Sequence, residues 1–305
     1  MKVCILILAL SGWAVAAVTP GAGSQPHSSV CQEPAETPAN PASEGEEVRL
    51  ETAHGPVYVW RPAAYEPRTA GIVVYVHGFF TSLDQTWTED HLAAQFQASG
   101  RNAVFIAPEA PQSADDGVSW DSLAALLHAV DEAATFSLPH GPVILVGHSG
   151  GFRTILDWLH EPRVQCVILL DGLYGGQTQF RAWLRAPTRG QPHRMVLVAY
   201  DTWRRSNRFA RRTPGTVRRA SIPKSPSSFT PRETRARLLF LHSQYGHMEI
   251  VNNGKVIPLL LEITALKPLA DTRESRPQPR PSAAKRLSCG LMNPSYDSNR
   301  LALSQ

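Results

Sequence analysis

Short, mostly apolar runs recur along the middle of the chain, and each is stopped by a polar or glycine-rich stretch. Gly71–Val76, Ala103–Ala107, Val143–Val146, Val164–Leu170, Met195–Tyr200 and Leu238–Leu241 have this form. Runs this short, without polar alternation, are what strands buried on both faces of a parallel sheet require. Between them lie stretches with helical spacing. Glu89–Ser99 turns Leu92 and Phe96 inward, and Val118–Phe136 carries Trp120, Leu123, Leu126, Leu127 and Val130 on one side. Phe180–Leu184 belongs to a further helix, and Val256–Leu266 is a closing helix with Pro258 in its first turn. Strand alternating with helix predicts right-handed βαβ units and an α/β fold with a mainly parallel sheet flanked by helices. Before the first buried run, Val48–Thr52 and Val57–Trp60 flank His54-Gly55-Pro56 and predict a hairpin of edge strands.

The pattern fails at both ends. Residues 1–17 combine Lys2, an apolar centre from Val3 to Leu10 and the small residues Val15-Ala16-Ala17, which together read as a secretory signal peptide. That predicts an exported protein, periplasmic or extracellular. Residues 18–47 are rich in Pro, Ala, Ser, Gly and Glu and read as a disordered leader; residues 268–305, rich in Pro, Arg and Ser, read as a disordered tail. One domain, residues 48–267, remains between them. No later stretch is long and apolar enough to cross a bilayer.

Composition adds a little. The 305 residues are 43% hydrophobic, enough for a substantial core. Net charge is +4, but the excess is local: residues 203–237 hold ten arginines and one lysine against one acid. A local excess does not support nucleic-acid binding. This basic insertion reads mostly as a long loop, either a solvated insertion or a lid and contact for anionic surfaces. Cys4 would leave with the signal, and Cys31, Cys166 and Cys289 have no metal-like spacing. Cys166 sits in a core strand, whereas export would allow a Cys31–Cys289 bridge.

Candidate chemistry centres on Gly147-His148-Ser149-Gly150-Gly151. The apolar run Val143–Val146 leads straight into this G-x-S-x-G pattern, and a helix-compatible stretch follows from Thr154 to His160. A strand, a tight turn and a helix are what a nucleophile elbow needs, with small residues two positions either side of the serine. Upstream, the strand Gly71–Val76 ends in His77-Gly78-Phe79-Phe80. Downstream, two strands end in Asp171 and Asp201, and His242 and His247 follow the last strand.

With these motifs the stretch from Val48 to Leu266 resembles the α/β-hydrolase superfamily, and within it the secreted lipase/esterase-like members. The resemblance implies acyl transfer on a carboxylic ester, with a small-molecule or lipid ester as substrate and no metal or organic cofactor. It makes Ser149 the nucleophile and His247 the base. The amides of Phe79 and Gly150 become the oxyanion donors, and the order Ser, acid, His matches the family. Asp171 is the favoured acid because it sits in a tight strand–Asp–Gly turn; Asp201 is the alternative. His242 lies so close to its strand that a structural role fits better, and His77 and His148 are packed motif neighbours. A serine peptidase or acyltransferase would use the same groups, and a catalytically silent envelope binding protein could keep the fold. Oligomeric state stays open.

Overall fold

The computed structural model describes residues 45–270 except residue 189. The signal peptide, residues 18–44 of the leader, residues 271–305 of the tail and the Cys31–Cys289 pairing lie outside the described residues. Within them the nine strands are β1 (Gly45–Thr52), β2 (Gly55–Pro62), β3 (Gly71–Val76), β4 (Ala103–Pro108), β5 (Val143–His148), β6 (Val164–Leu170), β7 (Arg194–Ala199), β8 (Thr216–Arg219) and β9 (Leu238–His242). They form one sheet in the order β1-β2-β4-β3-β5-β6-β7-β9-β8. β1 with β2 and β2 with β4 are antiparallel, and every other neighbour pair is parallel.

The helices are α1 (Leu83–Glu89), α2 (Leu92–Ala98), α3 (Leu123–Ala133), α4 (Phe152–Trp158), α5 (Gln177–Arg185), α6 (Trp203–Arg211), α7 (Pro231–Thr234), α8 (Glu249–Asn252) and α9 (Val256–Glu262). They split between the two faces of the sheet. Leu123, Leu126, Trp158, Phe180 and Phe209 bring α3 to α6 onto one face. Trp87, Leu92, Phe96, Ile250 and Leu260 bring α1, α2, α8 and α9 onto the other. Both faces are therefore covered, and β3, β4 and β5 are buried at every position. This is why their sequences run apolar without alternation.

Parallel register sets the strand ends side by side. Val76 pairs with Gly147, His148 with Leu170, Leu170 with Val198, and Ala199 with His242. The turns after β3, β5, β6, β7 and β9 thus open on one edge of the sheet, where ligands bind in open α/β sheets.

Several expected boundaries differ. The helix expected over Glu89–Ser99 is two helices, because α1 starts earlier on its Ser82 cap and His91, at φ 51°, breaks the chain before α2. α3 starts at Leu123 rather than Val118, since Ser122 accepts the Ala125 amide as N-cap. Trp120 is buried outside the helix, its carbonyl accepting from Trp158 Nε1 at 3.1 Å. β2 is no edge strand: Val57 to Trp60 pair with Pro108 to Phe105. β1 begins at Gly45, ahead of the domain start expected at residue 48, and Gly45 pairs with Pro62. Pro268, just past the domain end expected at residue 267, bridges to Arg101.

The basic insertion departs furthest from expectation. Residues 203–237 are not mainly loop: they build α6, the edge strand β8, a 3-10 turn at Pro226–Ser228 and α7. Phe209, Ala210, Ile222 and Phe229 are buried, so a few apolar anchors fold a segment whose arginines dominate its composition. Among the described residues, no helix is long and apolar enough to cross a membrane.

Candidate active site

β5 ends at His148, and Ser149 follows with φ 48°. A non-glycine residue in the left-handed region is held there at a cost, about 1–3 kcal/mol, and such strain concentrates at functional positions. The turn is possible only because its flanks lack side chains. A Cβ on Gly151 would lie 2.6 Å from the Val76 carbonyl oxygen, and one on Gly147 would lie 2.5 Å from Ile155 Cδ1. The turn therefore rests directly on β3 and α4.

Asp171 follows β6 with the same unusual backbone, φ 48°, and its side chain is fully buried. Its oxygens accept five hydrogen bonds. Oδ1 takes the amides of Tyr200 (2.9 Å) and Thr202 (2.9 Å) and the Thr202 hydroxyl (2.6 Å). Oδ2 takes the Asp201 amide (3.0 Å) and His247 Nδ1 (2.8 Å). Burial alone would raise this carboxyl's pKa; the bonds from His247, Thr202 and the neighbouring amides outweigh it and hold the group well below the ordinary carboxylate range. Asp201 sits differently. Its amide serves Asp171, while its carboxylate is more than half exposed and 3.9 Å from His247 Nδ1.

Because Nδ1 donates to a carboxylate, the basic nitrogen of His247 is Nε2. His247 and Ser149 line one cavity of about 740 Å³, together with Gly78, Phe79, Phe80, Gly150, Phe152, Tyr174 and Met248. His148 steadies the loop that carries His247. It donates from Nε2 to the His247 carbonyl at 3.2 Å, and the two rings lie 4.6 Å apart. Burial, then the neighbouring His247, pushes the His148 pKa down to about 3, so the ring is neutral. His242 packs against Trp203, with ring centroids 4.2 Å apart.

The turn after β3 is pressed against the elbow. A Cβ on Gly78 would come 2.8 Å from Ser149 Cβ, and the Phe79 ring covers Gly150. His77 anchors this turn, with Nδ1 donating to the Gly78 carbonyl at 2.7 Å and Nε2 accepting the Ala110 amide at 3.0 Å beside the Glu109 carboxylate. Glu109 also accepts the Leu83 amide at 3.0 Å, tying the turn to α1.

Three supporting residues had no role in the sequence reading. Thr202 supplies two of the five bonds to Asp171. Glu109 lies against His77 and holds the Leu83 amide. Tyr174 sets its ring edge toward His247 at 6.4 Å and its hydroxyl beside Ser149; burial, then Asp171 and Asp201, raises its pKa to about 12. Only the position of Thr202, directly after a strand-end aspartate, was a usable signal. Asp171, Asp201 and His247 also bring three metal-ligand-type atoms within 4.8 Å of one another. The Asp171 oxygens are already taken by hydrogen-bond donors, so the geometry suits an oriented imidazole better than a cation.

No curated protein matches the chain. Among solved structures, the feruloyl esterase module from Clostridium thermocellum is 11% identical, with 73% of this chain and 91% of that one covered and a TM-score of 0.47. An S-formylglutathione hydrolase from Staphylococcus aureus is 11% identical over 72% of this chain and 96% of that one, with a TM-score of 0.46. Staphylococcus aureus fluorophosphonate-binding serine hydrolase F is 12% identical over 72% of this chain and 98% of that one, at a TM-score of 0.46. Likeness of this degree carries nothing about substrate. The model of the Alpha/beta hydrolase family matches residues 73–281, more than half of the chain. The chain belongs to the alpha/beta hydrolase family.

Proposed function

We propose that the protein is a serine hydrolase that cleaves carboxylic esters through an acyl-enzyme, with Ser149 as nucleophile, His247 as base and Asp171 as acid. The observation that carries the reading is the 2.8 Å bond from His247 Nδ1 to a saturated, buried Asp171, beside a strained Ser149 in the same cavity. Ser149 Oγ attacks the ester carbonyl and passes its proton to His247 Nε2. The carbonyl oxygen takes the negative charge, and the amides of Phe79 and Gly150 stabilise it. The C–O bond then breaks, and His247 gives the proton to the leaving alcohol. Water follows the same path in reverse order: His247 takes its proton, its oxygen attacks the acyl carbon, and Ser149 is released. Asp171 stays ionised throughout and holds the imidazolium in place. The apolar wall of Phe79, Phe80, Phe152, Tyr174 and Met248 suits an apolar portion of the substrate.

Labelling the purified protein with a fluorophosphonate tests this reading. Wild type is expected to label, and Ser149→Ala and His247→Ala are expected not to. Unlabelled wild type would move a silent binding protein to first place.

A further inference from the structure

The chain is basic, yet the cavity at Ser149 is acidic. Three carboxylates line it, from Glu89, Asp90 and Asp201, against one guanidinium, Arg153. Among the described residues, Arg153 forms an ion pair with none of them. It donates to the carbonyls of Ser113 (3.3 Å), Ala114 (2.8 Å) and Asp116 (3.0 Å) and lies over the Phe79 ring at 5.8 Å.

Asp90 stands out. It is 6% exposed and lines the cavity at the break between α1 and α2. Among the described residues, no donor bonds its carboxyl. Gln95 donates to its backbone carbonyl instead, at 2.6 Å. Two buried polar atoms near it lack partners: the hydroxyl of Tyr75, which feels the Asp90 charge, and Oε1 of Gln95. Burial, then the adjacent Glu89, raises the Asp90 pKa to about 6, with His91 opposing. A buried carboxylate without a partner is costly, and such groups are satisfied in structures by a partner of opposite charge. The wall also carries aromatic and thioether side chains: Phe79, Phe80, Phe152, Tyr174 and Met248. Aromatic faces combined with carboxylates are a favourable environment for an organic cation.

We propose that the site selects esters bearing a cationic ammonium group, which Asp90, assisted by Glu89, receives while Ser149 attacks the ester. This rests on the serine-hydrolase reading above and names its substrate class. The ammonium replaces the missing donor at Asp90, and its alkyl groups meet the aromatic wall. Asp90 acts only on binding and takes no part in the bond changes.

Matched ester pairs that differ only in charge test it. Butyrylcholine is compared with 3,3-dimethylbutyl butyrate, in which a carbon replaces the nitrogen. With the charge on the acyl side, the 4-nitrophenyl ester of 4-(trimethylammonio)butyrate is compared with that of 5,5-dimethylhexanoate, each corrected for its hydroxide rate. In at least one pair kcat/KM should favour the cation by about tenfold or more. Asp90→Asn, checked for folding by thermal melting, should bring that ratio near one, and Glu89→Gln should lower it. Equal or better turnover of both neutral esters overturns the proposal while leaving the hydrolase reading intact, as does an unchanged ratio in Asp90→Asn. If no ester is turned over and Ser149 does not label, the hydrolase reading fails instead. Calorimetric titration of wild type with choline then decides the cation site: heat lost in Asp90→Asn supports it, and no heat in wild type overturns it.

Discussion

At the residue scale the two strand-end aspartates make a natural comparison. Asp171 and Asp201 both reach toward His247, at 2.8 and 3.9 Å, but only Asp171 is buried and fully bonded. An acid that orients an imidazole must itself be held, so Asp171→Asn should cut kcat/KM on a 4-nitrophenyl ester by about 10³–10⁴-fold. Asp201→Asn should cut it by less than about tenfold, since its contribution to Asp171 is through the backbone. Asp90 gives a stability prediction of opposite kind. Its folded-state pKa is raised, so the protonated form favours the fold, and this stabilisation is lost as pH rises through about 6. Asp90→Asn should therefore raise stability in urea denaturation at pH 7–8 by about 1 kcal/mol, once the full shift is discounted for the water-facing cavity. The gain should vanish below about pH 4, where the carboxyl is neutral in both states. Ser149 was legible in the sequence because glycines mark its turn. Tyr174 was not, because a hydroxyl on a strand-end turn looks the same with or without a partner.

At the element scale, close contact between β3 and the elbow governs the site. Gly151→Ala would push a methyl against the Val76 and His77 carbonyls, at 2.6 and 2.8 Å. Backbone cannot yield as a side chain can, so the expected cost is about 2 kcal/mol or more in urea denaturation, with loss of fluorophosphonate labelling. The basic segment offers a second test. Glu233 closes a capping box on Thr230 at the start of α7 and pairs with Arg219 of β8 at 3.1 Å. Glu233→Ala should lower stability by about 1–2 kcal/mol and leave the labelling rate of Ser149 unchanged. The buried strands were readable from their unbroken apolar runs. α6 was not, because Phe209 and Ala210 are too few among arginines to show a helical stripe until β7 and β9 provide the surface they cover.

At the scale of the whole molecule, acid should be the main threat to the fold. Asp171, Glu109 and Glu233 all have depressed folded-state pKa values, because hydrogen bonds to their charged forms outweigh burial. Depressed carboxylates stabilise above the ordinary range, near 4, and the stabilisation is lost as pH falls through and below it. Melting temperature should thus fall steeply below about pH 4, and Asp171→Asn should flatten that fall. Asp90 works against the trend between about 6 and 4, so it cannot be the source of acid lability.

The order of apolar runs, helical spacings and glycine punctuation was enough to determine an α/β fold, the elbow at Ser149 and a short choice of partners for it. Those features are local: a run of apolar residues or a glycine pair constrains the backbone wherever the chain goes. The sequence left open which aspartate faces His247, which residues complete its setting, and whether the arginine-rich stretch folds. Each depends on residues far apart in the chain, 76 positions in the case of Asp171 and His247. Only the parallel register of β5, β6, β7 and β9 brings these ends to one edge, and burial there decides which polar groups must find partners.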